Sequence, residues 1–329
     1  METAGGRMDA QKELKETFYK TMVLIRAFEE KVSALAQEGG RLPGMQILAV
    51  GQEAVAAGVV AALRPGDVLV TNHRSHGHLL ARGADPNLLM AEIMGKKTGV
   101  GQGKSGTLHM AVPEVNALMT STVVGAGPPL AVGAAFAQHY RSEPNITVVF
   151  FGDGAAAEGS VHEAMNLAGV WKLPVLFVCE NNCWAGAQGL CEHCSTKNIA
   201  ARGESYGMPG EQVDGNDVEA VHTLAARLAD HCRKGHGPAL IEALTYRMHG
   251  HGEYDRQHYV DKKELEQWSR RCPVKGFREK LLAGGLVAES EVQSMEQEAK
   301  SKVDAAVEFA DQSPYPRPGE ALKHVWAET

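Results

Sequence analysis

The sequence lacks any long apolar run, since the stretch from Ile146 to Phe151 is far too short to span a bilayer. Its first residues show neither the apolar core of a secretion signal nor an Arg/Ser-rich transit pattern. Basic residues do not outnumber acidic ones, with 33 Lys and Arg against 40 Asp and Glu, which argues against a general nucleic-acid binder. We therefore expect a soluble, cytoplasmic protein that binds neither nucleic acid nor membrane.

Cysteine is also scarce, with six in 329 residues. A CEHC tetrapeptide over 191–194, together with Cys183, gives four candidate zinc ligands: Cys183, Cys191, His193 and Cys194. A structural zinc site usually has two such ligand pairs separated by a longer stretch, and the sequence offers no second pair. Zinc therefore stays open as an alternative, and reduced loop thiols are favoured. Without a secretion signal, disulfides are not expected.

Glycine, by contrast, is abundant, and the 36 glycines suit an α/β fold with many tight turns. Apolar periodicity and turn residues predict helices over 10–37, 52–63, 85–95, 130–140, 158–171 and 217–234, and strands over 68–71, 146–151, 175–180 and 239–245. The helix over 130–140 is expected to be buried, because its residues are small and apolar. From Asp261 onward the chain is predicted to be helical and charged.

A strand, a crossover helix and a second strand over 146–180 form a βαβ unit, which implies parallel strands. The sequence thus predicts an α/β fold with a single domain, a largely parallel sheet flanked by helices. We divide the chain into an N-terminal helical arm over 1–40, the α/β domain over 41–260, and a C-terminal helical extension over 261–329.

Polar residues directly follow the two strands of this unit. Asp153 comes after the first strand and Asn182 after the second. Ligands of open parallel sheets bind at the carboxyl ends of the strands, and neighbouring strands lie about 4.8 Å apart. A carboxylate and an amide oxygen there could both reach Mg²⁺, which also prefers substrate phosphates as ligands. Gly152 and Gly154 would let a phosphate approach backbone N–H groups at the helix start.

At this point the sequence resembles a known family. GDG at 152–154 followed by ENN at 180–182 looks like the thiamin diphosphate-binding motif. The chain is similar to alpha subunits of pyruvate, branched-chain and acetoin dehydrogenases over nearly its whole length. The resemblance is carried by the ordered motifs LPG…GQEAVAAG, HRSHGH, GKSGTLHM, YGMPG…VDGND and YRMHGHGEYD.

The resemblance implies a role for each matching position. Asp153, Asn182 and the backbone carbonyl of Trp184 would bind Mg²⁺. The remaining cofactor-binding positions would be His73, Arg74, Val124, Gly152, Gly154, Ala155 and His251. Arg74 would be the cationic partner of the diphosphate, a role that suits its planar fork of donors. His251 would be the active-site histidine, with His76 as a second catalytic or supporting histidine.

The resemblance also implies partners and a reaction. The chain would be active only with a beta subunit, in an alpha2 beta2 heterotetramer, because the pyrimidine-binding half of the site lies on that subunit. It would cleave acetoin or decarboxylate a pyruvate-like 2-oxo acid and pass the acyl unit to a lipoyl acyltransferase or another acceptor. Oxidoreductase activity on an oxo group is therefore expected.

Three observations keep alternatives in view. Ile47 occupies the place of a histidine in relatives, which motivates an acyloin-forming ligase component or a catalytically silent subunit of the same fold. GVGQGKSGT resembles a P-loop, yet Thr98 stands where that motif needs glycine and no strand precedes it. The histidines of HRSHGH could bind a metal, although no acidic residue lies near them in the sequence.

Overall fold

The computed structural model describes residues 4–326, and it is built around one six-stranded sheet. All six strands are parallel, in the order β2-β1-β3-β4-β8-β7. A short antiparallel hairpin, β5 with β6, follows β4. The strands are β1 Val68–Thr71, β2 Ala117–Thr120, β3 Thr147–Gly152, β4 Val175–Asn181, β5 Trp184–Ala185, β6 Gln188–Gly189, β7 Gly210–Asp214 and β8 Ala239–Leu244. The α/β fold with a parallel sheet is confirmed.

Helices cover both faces of this sheet, as a parallel sheet requires. Within the described residues they are α1 Ala4–Gln37, α2 Glu53–Ala61, α3 His76–Ala81, α4 Pro86–Ile93, α5 Gly127–Tyr140, α6 Gly159–Trp171, α7 Leu190–His193, α8 Arg202–Ser205, α9 Val218–Arg233, α10 Lys262–Ser269, α11 Pro273–Ala283 and α12 Glu289–Gln312. Asp85 caps α4 and Asp217 caps α9 through side-chain bonds to backbone N–H groups. None of the helices within 4–326 is long and apolar enough to cross a membrane.

Strands β3 and β4 are the centre of the sheet and are neighbours. They pair in register from Thr147 opposite Val175 to Gly152 opposite Glu180. All the residues of β4 are buried, since helices cover both sides. The two strands therefore end side by side, and the residues that follow them meet at one edge of the sheet.

The terminal helices pack onto the same core as the sheet. One cluster of buried side chains contains Phe28 of α1, Leu69 of β1, Phe150 of β3 and Val303 of α12. The three-part division at 40 and 260 stays a prediction. What the packing shows is that residues from all three parts share buried contacts.

Two expectations from the sequence are wrong. Helix α5 is not buried all round, because Leu130, Phe136 and Tyr140 are exposed on one of its faces. The sheet also has two strands that the apolar pattern did not predict. These strands, β2 and β7, form the two edges, so each pairs on one side only and includes exposed residues. Their sequences, ALMT and GEQVD, lack a continuous apolar run.

Candidate active site

A cavity of about 320 Å³ opens at the carboxyl ends of β1, β3 and β4. This is the edge at which parallel sheets bind their ligands. The structure places ten of the eleven predicted site residues in its wall: His73, Arg74, Val124, Gly152, Asp153, Gly154, Ala155, Asn182, Trp184 and His251. The residues come from segments far apart in the sequence, and only the fold brings them together.

Asp153 is the most unusual group in this wall. It is 1% exposed, and neither carboxylate oxygen has a hydrogen-bond partner. Its nearest charged neighbour is His193, whose Nε2 lies 3.3 Å from Asp153 Oδ2. A buried carboxylate without partners is costly, so such a group requires a counter-ion or a ligand. The Asp153 carboxylate at this distance raises the pKa of His193 above its usual value.

Asn182 lies beside Asp153 in the same wall and links the end of β4 to the hairpin. Its side-chain oxygen accepts a 3.2 Å hydrogen bond from the backbone N–H of Trp184. Its side-chain nitrogen donates to Gln52 at 3.2 Å. The amide group is held by these two bonds, and its oxygen has one further lone pair to offer.

The two glycines that flank Asp153 have different functions. A Cβ on Gly152 would meet no atom within 4 Å, so the space above it is open. A Cβ on Gly154 would lie 2.7 Å from the Ala185 side chain. Gly154 is thus needed for the close approach of the β5–β6 hairpin. Between Gly154 and α6 the chain first makes a short 3₁₀ turn over Ala155–Ala157, so α6 begins one residue later than the sequence predicted.

The opposite wall is strongly cationic. Burial, and then the charge of Arg247, lower the pKa of Arg74 to about 9. Burial followed by the charge of Arg74 lowers the pKa of His73 to about 3 and also lowers that of His251. Two buried guanidinium groups side by side repel each other, and a bound anion would relieve this repulsion. The wall is therefore suited to a phosphate-bearing ligand.

His251 is held in place through its backbone. Its N–H donates to Asp255 Oδ2 at 2.8 Å, and its carbonyl accepts from Arg74 Nη2 at 3.0 Å. The imidazole itself has only a marginal 3.5 Å contact with Arg74 and an edge-on contact with the ring of His73. With its lowered pKa, the ring is neutral near pH 7 and can accept or donate a proton.

Several residues of the site were missed from the sequence. Glu180 lies in the cavity wall, where its carboxylate accepts 3.1 Å bonds from Asn72 and His78. Arg247 is fully buried behind Gly186, and its Nε and Nη1 have no partners. The signal for Glu180 was its place in the ENN motif. Arg247 belongs to the YRMHGHGEYD motif, but nothing in that pattern indicates its burial.

Two residues lie outside the cavity wall. His76 is fully buried, hydrogen-bonded to Thr107, and 3.4 Å from Glu29. It does not reach the cavity, so the structure corrects its assignment as a catalytic residue and leaves it a supporting one. Ile47 is also buried and does not line the cavity. The change from histidine to Ile47 therefore leaves the wall intact, and no contact favours a ligase component or a silent subunit.

The contacts of the glycine-rich loop exclude the P-loop alternative. The loop GVGQGKSG wraps around the buried carboxylate of Glu92, which accepts from the backbone N–H groups of Gly101, Gly103, Ser105 and Gly106 at 2.7 to 3.2 Å. These N–H groups are the donors that a P-loop offers to a nucleotide phosphate. An internal carboxylate already binds them, so the loop has a structural function.

The described residues form neither of the two metal sites considered from the sequence, at CEHC and at HRSHGH. Among residues 4–326, no three His, Cys, Asp or Glu side chains are placed to hold a metal ion. In the CEHC segment, the thiol of Cys194 is buried against Arg202 while Cys191 is exposed. All six cysteines are free thiols.

Comparison with known proteins decides the family. The family model described as dehydrogenase E1 component matches residues 20–319. The chain belongs to this family. Relatives include the alpha subunit of acetoin:2,6-dichlorophenolindophenol oxidoreductase from Bacillus subtilis, 42% identical over 94% of this chain and 92% of the relative. The pyruvate dehydrogenase E1 alpha subunit of Rhizobium meliloti is 39% identical over 95% and 90%, and a chloroplast form from Arabidopsis thaliana is 37% identical over 94% and 74%.

Membership of the E1 family confirms what the motifs predicted. The chain is a component of a thiamin diphosphate-dependent oxidoreductase, of the acetoin and pyruvate dehydrogenase group. The family implies thiamin diphosphate as cofactor. The cavity at the ends of β1, β3 and β4 is where a cofactor with an anionic tail fits the charges of this E1 chain.

Proposed function

We propose that this chain is the alpha subunit of an acetoin- or pyruvate-cleaving E1 component, and that the cavity holds the diphosphate of thiamin diphosphate together with Mg²⁺. The single observation that carries the proposal is the buried, unpartnered carboxylate of Asp153 at the end of β3. Asn182 at the end of the neighbouring strand and the carbonyl of Trp184 supply the further oxygen donors. This set of oxygens is what Mg²⁺ prefers.

The charges and the space around Asp153 fit the diphosphate. Arg74 provides a buried guanidinium, and Gly152 leaves open space next to the carboxylate. The N–H groups of Gly154 and Ala155, at the start of the 3₁₀ turn, would be available as donors to the diphosphate. Arg74 would hold the anionic tail, whose charge would offset the repulsion between the two guanidinium groups.

When bound, thiamin diphosphate supplies the electron-accepting ring that allows a bond next to a carbonyl to break. The protein's part is to position and to move protons. His251 accepts or donates a proton at Nδ1 or Nε2, because burial and Arg74 keep it neutral. Val124, exposed at the cavity mouth, offers an apolar contact to the part of the cofactor that extends outward.

Exposed apolar residues near the cavity support an interface with a second subunit. Val123 and Val124 at the mouth are exposed, and so is a nearby apolar face on α5 and α6. We define the α5–α6 face by Leu130, Phe136, Tyr140, Leu167, Val170 and Trp171. Exposed apolar surface of this extent is typical of a subunit interface. The relatives are alpha subunits, so a beta subunit in an alpha2 beta2 assembly is the proposed occupant.

The substrate is proposed as acetoin or a small 2-oxo acid such as pyruvate, with a lipoyl acyltransferase or another electron acceptor downstream. The relatives divide between acetoin and pyruvate. The test is to co-express the chain with a beta subunit and assay pyruvate, acetoin and branched 2-oxo acids with an artificial electron acceptor. Turnover of one of these by the complex, and none by the chain alone, is expected. Full activity of the chain alone would contradict the proposal.

A further inference from the structure

His193 is a titratable side chain of the cavity wall whose position the function proposed above does not use. It ends α7, directly after the β5–β6 hairpin, and its side chain is 9% exposed. Its Nε2 is buried without a hydrogen-bond partner and lies 3.3 Å from Asp153 Oδ2, which also has none. The two atoms without hydrogen-bond partners thus lie close to each other.

The hydrogen bond of the other ring nitrogen determines the tautomer of His193. His193 Nδ1 lies 3.0 Å from the carbonyl oxygen of Gly189. A carbonyl can only accept, so Nδ1 carries the proton and donates it. In the neutral ring, Nε2 then presents its lone pair toward the Asp153 carboxylate. Donation of one ring N–H to a backbone carbonyl is the arrangement that orients a histidine whose other nitrogen binds a metal.

The distance between His193 Nε2 and Asp153 Oδ2 is the distance expected between two ligand atoms of one cation. Ligand bonds of about 2.1 Å to one cation, at angles between octahedral and tetrahedral, place adjacent ligand atoms about 3.0 to 3.4 Å apart. The observed 3.3 Å lies in this range. Two facing lone pairs at this distance repel each other unless a positive charge, either a proton or a metal ion, lies between them.

We propose that His193 Nε2 is a nitrogen ligand of the divalent cation that Asp153 holds. This inference rests on the function proposed above, which assigns oxygen donors only. A nitrogen donor weakens the preference of the site for Mg²⁺ and favours first-row transition ions, because imidazole binds Co²⁺ and Mn²⁺ better than it binds Mg²⁺. The bond would also tie the hairpin and α7 to the end of β3 when the cation is present.

Pulsed electron paramagnetic resonance of Mn²⁺ tests the ligand directly. The alpha–beta complex is loaded with Mn²⁺ and inorganic diphosphate, which contains no nitrogen. We expect nuclear modulation from an imidazole nitrogen, and a shift of that modulation to the ¹⁵N pattern when the protein is labelled with ¹⁵N-histidine. The labelling arm needs no substitution, so it stands even if a variant fails to fold.

Variants separate this inference from the proposed function. His193→Gln should bind Mn²⁺ without the imidazole modulation, and its affinity for Co²⁺ should fall about tenfold or more while that for Mg²⁺ falls much less. His236→Gln changes an exposed histidine and is the matched control. Mn²⁺ binding lost in Asp153→Ala, but with no histidine modulation in the unsubstituted protein, would overturn the His193 ligand alone. Mn²⁺ binding that survives Asp153→Ala would overturn the cation site itself.

Discussion

Asp153 and Asn182 stand immediately beyond two strands that pair in register, Gly152 at the end of β3 lying opposite Glu180 of β4. The register places a carboxylate and an amide at one edge of the sheet, and helices on both faces exclude water from the carboxylate. Burial removes the solvent that would otherwise stabilise this charge. We propose that this arrangement prepares the site for a cation before any ligand binds.

Substitution of His251 tests its proposed proton-transfer function. His251→Gln removes the imidazole but keeps a side chain of similar length, and kcat of the alpha–beta complex should fall about 10² to 10⁴-fold, with little change in KM. His249→Gln is the matched control, because His249 pairs with Glu253 at 3.0 Å and does not line the cavity. Steady-state kinetics with an artificial electron acceptor give both constants. Equal loss in both variants would count against a specific role for His251.

The lowered pKa of His73 should make the free energy of unfolding depend on pH. His73 has a pKa of about 3 in the folded protein and about 6.5 in the unfolded chain. Between these values the unfolded state binds the extra proton, so stability is present above pH 6.5 and is lost as pH falls toward 3. His73→Gln should reduce the change of unfolding free energy with pH by up to about 1.4 kcal/mol per pH unit.

Urea unfolding at pH 7.5, 6.0 and 5.0 measures this slope. Other half-buried histidines with lowered pKa, such as His222 and His251, contribute in the same direction in both proteins and largely cancel in the comparison. His236→Gln, at an exposed position, should leave the slope unchanged. If His73→Gln and the unsubstituted protein show the same slope, His73 is not held neutral by its surroundings.

Glu92 is expected to be a major determinant of stability. Glu92→Gln leaves one acceptor oxygen for four backbone N–H donors and sets an NH₂ group against some of them, so unfolding free energy should fall by about 2 to 4 kcal/mol. Glu114→Gln makes the same change at an exposed site and should cost less than about 0.5 kcal/mol. Chemical denaturation compares the two. A loss below about 1 kcal/mol for Glu92→Gln would show that the loop N–H groups have other partners.

The α5–α6 face should be required for binding the beta subunit. Phe136→Glu or Val170→Glu places a charge in an exposed apolar face, and affinity for the beta subunit should fall at least about tenfold. Leu88→Glu makes an equivalent change on α4 and is the control. Analytical ultracentrifugation of the mixed subunits measures assembly, and thermal melting of each chain confirms folding. Unchanged assembly of both variants would locate the interface elsewhere.

The central strands and the ligand-binding edge were predictable from the sequence because both depend on short stretches of neighbouring residues. A short apolar run such as 146–151, bounded by turn residues, is typical of a buried strand, and the Asp and Asn after two parallel strands meet when those strands are neighbours. Edge strands were not predictable in this way, since β2 and β7 are half solvated and their residues need not be apolar. The exposed face of α5 was missed because apolar residues such as Leu130 and Phe136 do not show from sequence alone whether they face a core or the surface.

Contacts that depend on the path of a loop could not be predicted. Nothing in the CEHC segment shows that His193 would lie over Asp153, because the β5–β6 hairpin sets that position. The burial of Arg247 likewise depends on Tyr259 and Gly186. Spacing within a motif identifies the residue types of the site, and only the fold gives their distances.

The most direct test of the cation site is calorimetric binding of thiamin diphosphate to the alpha–beta complex, with and without Mg²⁺. Asp304→Ala, which removes an exposed carboxylate on α12, is the matched control for Asp153→Ala. We predict Mg²⁺-dependent binding in the unsubstituted complex and in Asp304→Ala, and none in Asp153→Ala. Binding of unchanged affinity in Asp153→Ala would contradict the assignment of the carboxyl ends of β3 and β4 as the cofactor site.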